Sequence, residues 1–426
     1  MSPSRWIGGA AALVLTASLA SCATPSPDDH VIRAEGVSAR AVSISDAVEL
    51  PQAVAAAREL GAKTLALADP DGNVVLSPAG LATALSMLAD GARGATLAEL
   101  ESVLGATGDG RRDAFAAVRG ALSALDGDPS AVAADELPER PLLHLASQVV
   151  VDEGFEVRDD FLAALADTFD AGSQQVDLGG EEGKAALDAW VREHTGGLIE
   201  QSAIEPDPQL RIVLQDAVLL AAAWKAPFDE GATAPQGFTL ADGTRSEVDT
   251  MSSSQVSFAS AERDGWRAVR LPYDEALHAD ILLPPEGTDP ATATGELLGE
   301  LATALDDAAP EPIALSLPVL DIGDAKTDLL PLLPELGLGS LPCTSGSADL
   351  SGIALAPGDL CVDQAVQQAV LSVDEAGTVA AAVTELGMTE SSALVGQELA
   401  FDRPFLFTVS HDETGWPLFL AAVRAP

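Results

Sequence analysis

The sequence predicts an α+β protein on three observations. Its first half carries helix starts and apolar stripes of helical period, its second half carries runs of β-branched and apolar residues, and residues 212–224 form a nearly unbroken apolar stretch suited to a strand covered on both faces. Helices come first. Ser77-Pro78 opens one, because a serine hydroxyl caps free N–H groups and a proline at the first helical position forfeits no hydrogen bond; Leu81, Leu85 and Leu88 then share a face. Thr96-Leu-Ala-Glu99 has capping-box spacing and starts a short helix that stops at Gly105. Leu187, Trp190 and Val191 stripe a third, closed near His194 and Gly196, where an imidazolium is favoured at the negative helix end. Strands follow at residues 212–224, 279–283, 313–320, 405–410 and 418–423.

With 47% hydrophobic residues the chain can bury a large core. The formal charge is −44, from 66 acidic and 22 basic residues, which argues against nucleic acid or an anionic lipid surface as a partner. The one basic cluster, Arg111, Arg112 and Arg119, lies among acids and reads as a solvated surface. No linker divides residues 46–426 and no repeat of fixed period occurs, so they read as a single domain and a monomer.

The N-terminus reads as an export signal over residues 1–21: Arg5 supplies a positive end, residues 7–19 an apolar run, and Leu19-Ala-Ser-Cys22 a lipobox. Cleavage there leaves Cys22 to carry lipid, with residues 22–45 as a flexible tether and the anchor as the sole membrane contact. The expected location is the outer face of the cell envelope, or outside the cell if the protein is released. Assigning Cys22 to lipid leaves Cys343 and Cys361 as an even pair, which either forms a disulfide or stays as two thiols.

Residues 375–384, Glu-Ala-Gly-Thr-Val-Ala-Ala-Ala-Val-Thr, are small or β-tolerant where a surface loop is usually polar and proline-rich. Read with period two, Thr378, Ala380, Ala382 and Thr384 share one face, and no proline interrupts the chain between Pro357 and Pro404. Downstream, Leu399-Ala-Phe-Asp-Arg-Pro-Phe-Leu-Phe-Thr-Val409 leads to Trp416-Pro-Leu-Phe-Leu-Ala-Ala-Val-Arg-Ala-Pro426. Upstream lie Asn73-Val-Val-Leu-Ser-Pro78, Gly91-Ala-Arg-Gly-Ala-Thr96, Gln215-Asp-Ala-Val-Leu-Leu-Ala-Ala-Ala-Trp224 and Leu271-Pro-Tyr-Asp274. In this order the blocks resemble those of the serpin family, across nearly all of residues 46–426.

The resemblance implies a serpin-like fold, with an N-terminal helical region packed on a large mixed β-sheet, further sheets, and an exposed reactive-centre loop at about residues 375–398. It implies a suicide-type inhibitor that forms a covalent acyl complex with a target serine protease, then inserts the cut loop into the central sheet. The hinge falls on Glu375, Gly377, Thr378, Val379, Ala380, Ala381, Ala382 and Val383, with Gly377 permitting the backbone swing. The reactive bond falls at Ser391–Ser392, or alternatively at Ala393–Leu394. Either offers a small residue, which points to elastase-like or subtilisin-like proteases; Glu390 instead points to a glutamyl-specific one, and Met388 or Leu394 to a chymotrypsin-like one. Asn73, Ser77, Asp216, Trp224 and Gln367 fall in the region of the sheet that opens. Asp216 and Gln367 stand where the family usually has asparagine and histidine, and Gly80 where it has serine, so an Asp216–Gln367 hydrogen bond is expected, with Asp216→Ala loosening the sheet.

Enzyme chemistry has no comparable support. The five histidines are scattered, no Gly-x-Ser-x-Gly elbow occurs, and no metal-ligand or phosphate-loop spacing is present, so neither a catalytic residue nor a metal or cofactor site is assigned. The alternative function is a serpin-fold binding protein of the cell envelope that does not inhibit.

Overall fold

The computed structural model describes residues 31–426 except 33, 35, 134–136, 154, 255, 355–359 and 379–396. The expectations for residues 1–30, Cys22 among them, and for Val379, Ala380, Ala381, Ala382, Val383, Met388, Glu390, Ser391, Ser392, Ala393 and Leu394 therefore lie outside the described residues.

Seven α-helices and seventeen strands are present among the described residues. The helices are α1 (Leu50–Leu67), α2 (Pro78–Gly91), α3 (Gly94–Leu104), α4 (Gly108–Leu122), α5 (Asp159–Phe169), α6 (Glu181–His194) and α7 (Gly295–Asp307). A seven-stranded sheet runs in the order β1 (Val31–Ile32), β4 (Gly172–Val176), β3 (Leu142–Asp152), β5 (Ile212–Ala223), β14 (Gly377–Thr378), β13 (Val366–Val373), β12 (Leu320–Asp328). The second sheet contains β2 (Val74–Leu76), β17 (Pro417–Val423), β16 (Phe405–His411), β10 (Leu277–Leu283), β9 (Trp266–Pro272), β8 (Ser257–Arg263), β11 (Glu311–Pro318), β7 (Arg245–Ser253) and β6 (Ala234–Thr239), with β15 (Gln397–Ala400) parallel to β11. Six of the seven helices described precede residue 195 and most strands follow it, which gives the predicted α+β architecture, with α7 in the second half and β1 to β4 in the first as exceptions.

The helix α2 begins as its sequence dictates: Ser77 Oγ accepts from Gly80 N at 3.0 Å, with Pro78 in the first turn. Its buried Leu81, Leu85 and Leu88 join the main core beneath β5. The apolar residues of β10, β16 and β17 are buried on both faces, and of these strands only β17 is apolar throughout.

Three local expectations are corrected. The capping box at Thr96 does not form: α3 starts at Gly94, and Thr96 Oγ1 instead accepts from Asp349 N at 3.0 Å while Glu99 accepts from Ser340 N. Arg111 is not solvated but 2% exposed, paired with Asp90 at 2.6 Å and bonded to Ser86 O, and Arg119 donates to Thr168 O and Arg40 O. A helical pattern cannot reveal that an arginine faces inward when its partner carboxylate sits on another helix. α6 does end at His194, as expected, and the His194 Nδ1 meets His144 Nε2 at 2.9 Å beside Trp190. The tether is also shorter than expected. Arg40 pairs with Asp113 and Asp167, its N–H donates to Asp167 O at 2.7 Å, and Val42 and Ile44 pack on the core, so residues 36–45 belong to the folded body.

Candidate functional site: a cleft between two strands of the large sheet

Between β5 and β13 lies a cleft of about 410 Å³. Among the described residues, β5 pairs along its length with β3, and on its other edge only with β14, while β13 pairs along its length with β12. β14 fills only the upper end: Gly377 and Thr378 pair with Ala223 and Ala222, and Thr378 with Val373. Below that rung the facing edges of β5 and β13 carry no ladder to each other, although both walls are in place. Leu81, Leu85 and Leu88 of α2 lie on one side and Trp190 and Val191 of α6 on the other.

The upper end is held by a dense set of contacts. Asp374 Oδ1 accepts from Ala376 N at 2.9 Å and Gly377 N at 3.0 Å, closing the turn that returns the chain into the sheet. Burial pushes its carboxyl above the usual range, against those two N–H groups. Trp224, 2% exposed, donates Nε1–H to Asp374 O at 3.0 Å and stacks on Tyr273 with ring centroids 4.4 Å apart. The Tyr273 hydroxyl hydrogen-bonds the Thr378 hydroxyl, and burial raises its pKa. Glu375 is bonded to the Thr233 hydroxyl, and its carbonyl accepts from Phe228 N at 2.9 Å. Gly377 proves necessary for a reason other than a swing: a Cβ there would lie 2.1 Å from Ala222 O, so only glycine lets the turn approach β5.

Counting six residues down from Ala222 on β5 and from Val373 on β13 brings Asp216 and Gln367 to the same rung across the gap. They do not bond each other as expected. Gln367 instead grips the backbone of Ser77, accepting its N–H at 3.0 Å and donating to its carbonyl at 2.9 Å. Asp216 Oδ1 accepts from Ser147 Oγ at 2.7 Å on β3. The cleft width keeps the two side chains apart, so each is satisfied on its own side. The exposed part of Asp216 faces the cleft interior rather than bulk water. Burial pushes its pKa up to about 7, with the Ser147 bond opposing.

Gly80 accounts for the acid. A Cβ at Gly80 would stand 2.4 Å from Asp216 Oδ2, so the departures at 80 and 216 are sterically coupled. Gly80→Ser is expected to destabilise the protein by about 1–3 kcal/mol, the usual range for overpacking, and to be nearly neutral in an Asp216→Ala background. Denaturant midpoints of the two singles and the double check this; additive shifts would refute the coupling.

Of the other assigned residues, Ser77 sits behind Gln367, and Trp224 lies at the top of the cleft. Asn73 is corrected: its Oδ1 accepts from Arg424 N at 2.7 Å and Ala425 N at 3.0 Å, so it pins the C-terminal residues beyond β17 and takes no part in the cleft. Cys343 and Cys361 form a disulfide at the cleft's lower end, across an 18-residue separation. In the chain-entropy view such a loop contributes about 3 kcal/mol. Sequence reasoning gave no role to Tyr273, the protein's one tyrosine, although Leu271-Pro-Tyr-Asp274 was in view.

A profile of the serpin (serine protease inhibitor) family matches residues 58–426. The chain belongs to the serpin family. Iripin-3 of Ixodes ricinus is 31% identical to it over 381 residues, covering 87% of this chain and 93% of that one. Serpin-Z7 of Hordeum vulgare is 30% identical, covering 83% and 90%. Among solved structures, the thermophilic serpin tengpin in its native state superposes with a TM-score of 0.77 over 94% of this chain and 98% of that one, at 23% identity, a likeness of fold. In this serpin the seven-stranded sheet has a gap between β5 and β13, with the two-residue β14 at its upper end.

Proposed function

We propose that this serpin is a suicide-type inhibitor of serine proteases. The observation that carries the reading is β14: Gly377 and Thr378 sit in ladder register at the top of an unfilled cleft, and the residues after them are small enough to continue it. In this reading the protease serine Oγ attacks the carbonyl of Ser391, the amine of Ser392 leaves, and an ester joins enzyme to loop. The freed loop then adds to β5 and β13, with Thr384 passing between Asp216 and Gln367. The attached enzyme is dragged across the molecule, and a displacement of about 1 Å at its catalytic groups can cost a hundredfold in deacylation. Ladder hydrogen bonds and burial forgone by the uncut protein drive the step, so the native state persists by its barrier. Targets with a small primary pocket, elastase-like or subtilisin-like, fit Ser391 or Ala393. The lipobox reading of Leu19-Ala-Ser-Cys22 supports a location at the outer face of the cell envelope, or outside the cell if the protein is released.

Incubation with subtilisin and with elastase tests this. A denaturation-resistant covalent complex is expected, together with nicked protein that melts far above the intact form. A nicked loop with no complex and coincident melting would establish the alternative, a serpin-fold binder.

A further inference from the structure

Asp216 is an ionisable side chain in the middle of the cleft with no charge to answer it. The other charged residues that line the cleft are Arg211 and Asp363, and Arg211, five residues back along the chain, is bonded to Asp152 at 3.1 Å. The elements packed around Asp216 present no titratable group: β3 offers Ser147, α2 offers Gly80 with Ser77 before it, and β13 offers Gln367. Burial and the Ser147 bond are accordingly the two influences on its carboxyl. Oδ1 accepts from Ser147 Oγ at 2.7 Å, whereas Oδ2 takes no hydrogen bond from the described residues. Gly80 leaves the space beside Oδ2 that a Cβ, at 2.4 Å, would occupy. Where this half-buried carboxyl is accessible, it faces the cleft.

A strand laid in the cleft displaces the water there. Its backbone donors are spent on the ladders to β5 and β13, so the carboxylate gains no N–H group from the new strand's main chain in return. An ionised carboxylate with neither water nor a counter-charge is strongly disfavoured, and the group neutralises instead. We infer that Asp216 couples filling of the cleft to the uptake of one proton, so that alkaline pH opposes insertion and neutral or acid pH favours it. The inference rests on the insertion reading above. In the uncut protein burial already pushes the carboxyl up to about 7, and loss of the cleft water moves it further in the same direction. A group whose affinity for a proton rises on insertion favours the filled state fully below pH 7 and less with each unit above it, by up to about tenfold per unit in the insertion equilibrium. Asp216 stands six residues below Ala222 on β5, so the new strand reaches it midway, while the ester to the protease can still be hydrolysed.

Two measurements test the coupling, each comparing wild type with Asp216→Asn, which keeps an acceptor for Ser147 and cannot ionise. The first follows a pH indicator while the loop is nicked in weakly buffered solution at pH 8. Both proteins gain the same new chain ends, so the difference between them reports residue 216, and wild type is expected to take up about one proton more per molecule. The second counts loops cut per subtilisin molecule trapped from pH 6.5 to pH 9; the ratio of wild type to variant is expected to rise above pH 7 by up to about tenfold per unit. The enzyme's own pH dependence is common to both proteins and cancels. If nicked wild type gains heat resistance, equal proton counts or a ratio that stays level overturn the coupling, and the insertion reading stands. If nicked wild type gains none, both are overturned together.

Discussion

Thr378→Arg is expected to turn the inhibitor into a substrate of its own target. Thr378 is 2% exposed, its hydroxyl is bonded to Tyr273, and Tyr273 is stacked on Trp224, so a guanidinium does not fit in that place without leaving the packed upper end of the cleft. Burying an unpaired charge costs several kcal/mol, so the arginine is expected to expel β14 from the sheet of the uncut protein, and insertion must then begin by burying it; about 3 kcal/mol on that step slows it by roughly a hundredfold. Deacylation then outruns insertion, and the protease is released with the loop cut. The readouts are the number of loops cut per enzyme trapped and the melting of the nicked protein, which should match the intact form. Thr378→Val, of nearly the same size, should keep trapping within a few fold. An arginine variant that traps as well as wild type would refute the assignment of β14 as the start of the inserted strand.

Asp216→Asn is expected to stabilise the native protein at neutral and alkaline pH and to leave it unchanged in acid. The folded state holds the Asp216 carboxyl at a pKa of about 7, against 3.8 for the free side chain. A raised pKa means that the folded chain binds a proton the unfolded chain releases, so the associated stability is full below about pH 4 and is lost as pH rises through 7. The separation corresponds to about 3–4 kcal/mol by linkage, at 1.36 kcal/mol per pKa unit, allowing for some water in the cleft. Asparagine keeps an acceptor for Ser147 Oγ and removes the ionisation. Denaturant midpoints measured from pH 4 to pH 9 should therefore diverge between variant and wild type up to pH 7 and run parallel above it. Parallel curves throughout would show that Asp216 is hydrated and unshifted. Asp216→Ala is the poorer probe, since it leaves the Ser147 hydroxyl without its partner and opens a void beside Gly80.

The fold and the position of the cleft were legible in the sequence because they depend on long or specific local patterns. The apolar run that became β5, the Ser77-Pro78 start of α2 and the small-residue stretch after Glu375 each express a physical requirement that acts within a few residues. Errors arose where the requirement spans distant segments. Asp216 and Gln367 were correctly placed on facing strands, but their bonds go to Ser147 and Ser77, because the width of the gap decides which partner is in reach. Arg111 was misread for the same reason, its partner Asp90 lying 21 residues away on another helix.

By itself, the sequence determined the α+β class, through periodicity and capping, and the family, through blocks such as Phe401-Asp-Arg-Pro-Phe405 that resemble it, since both are written in neighbouring residues. Only the tertiary structure decided that Gly377 and Thr378 stand in the sheet, that the acid at 216 fits because residue 80 lacks a side chain, and that Gln367 grips the backbone of Ser77. Those outcomes depend on distances of a few ångströms between segments separated by up to 290 residues, which no local pattern encodes.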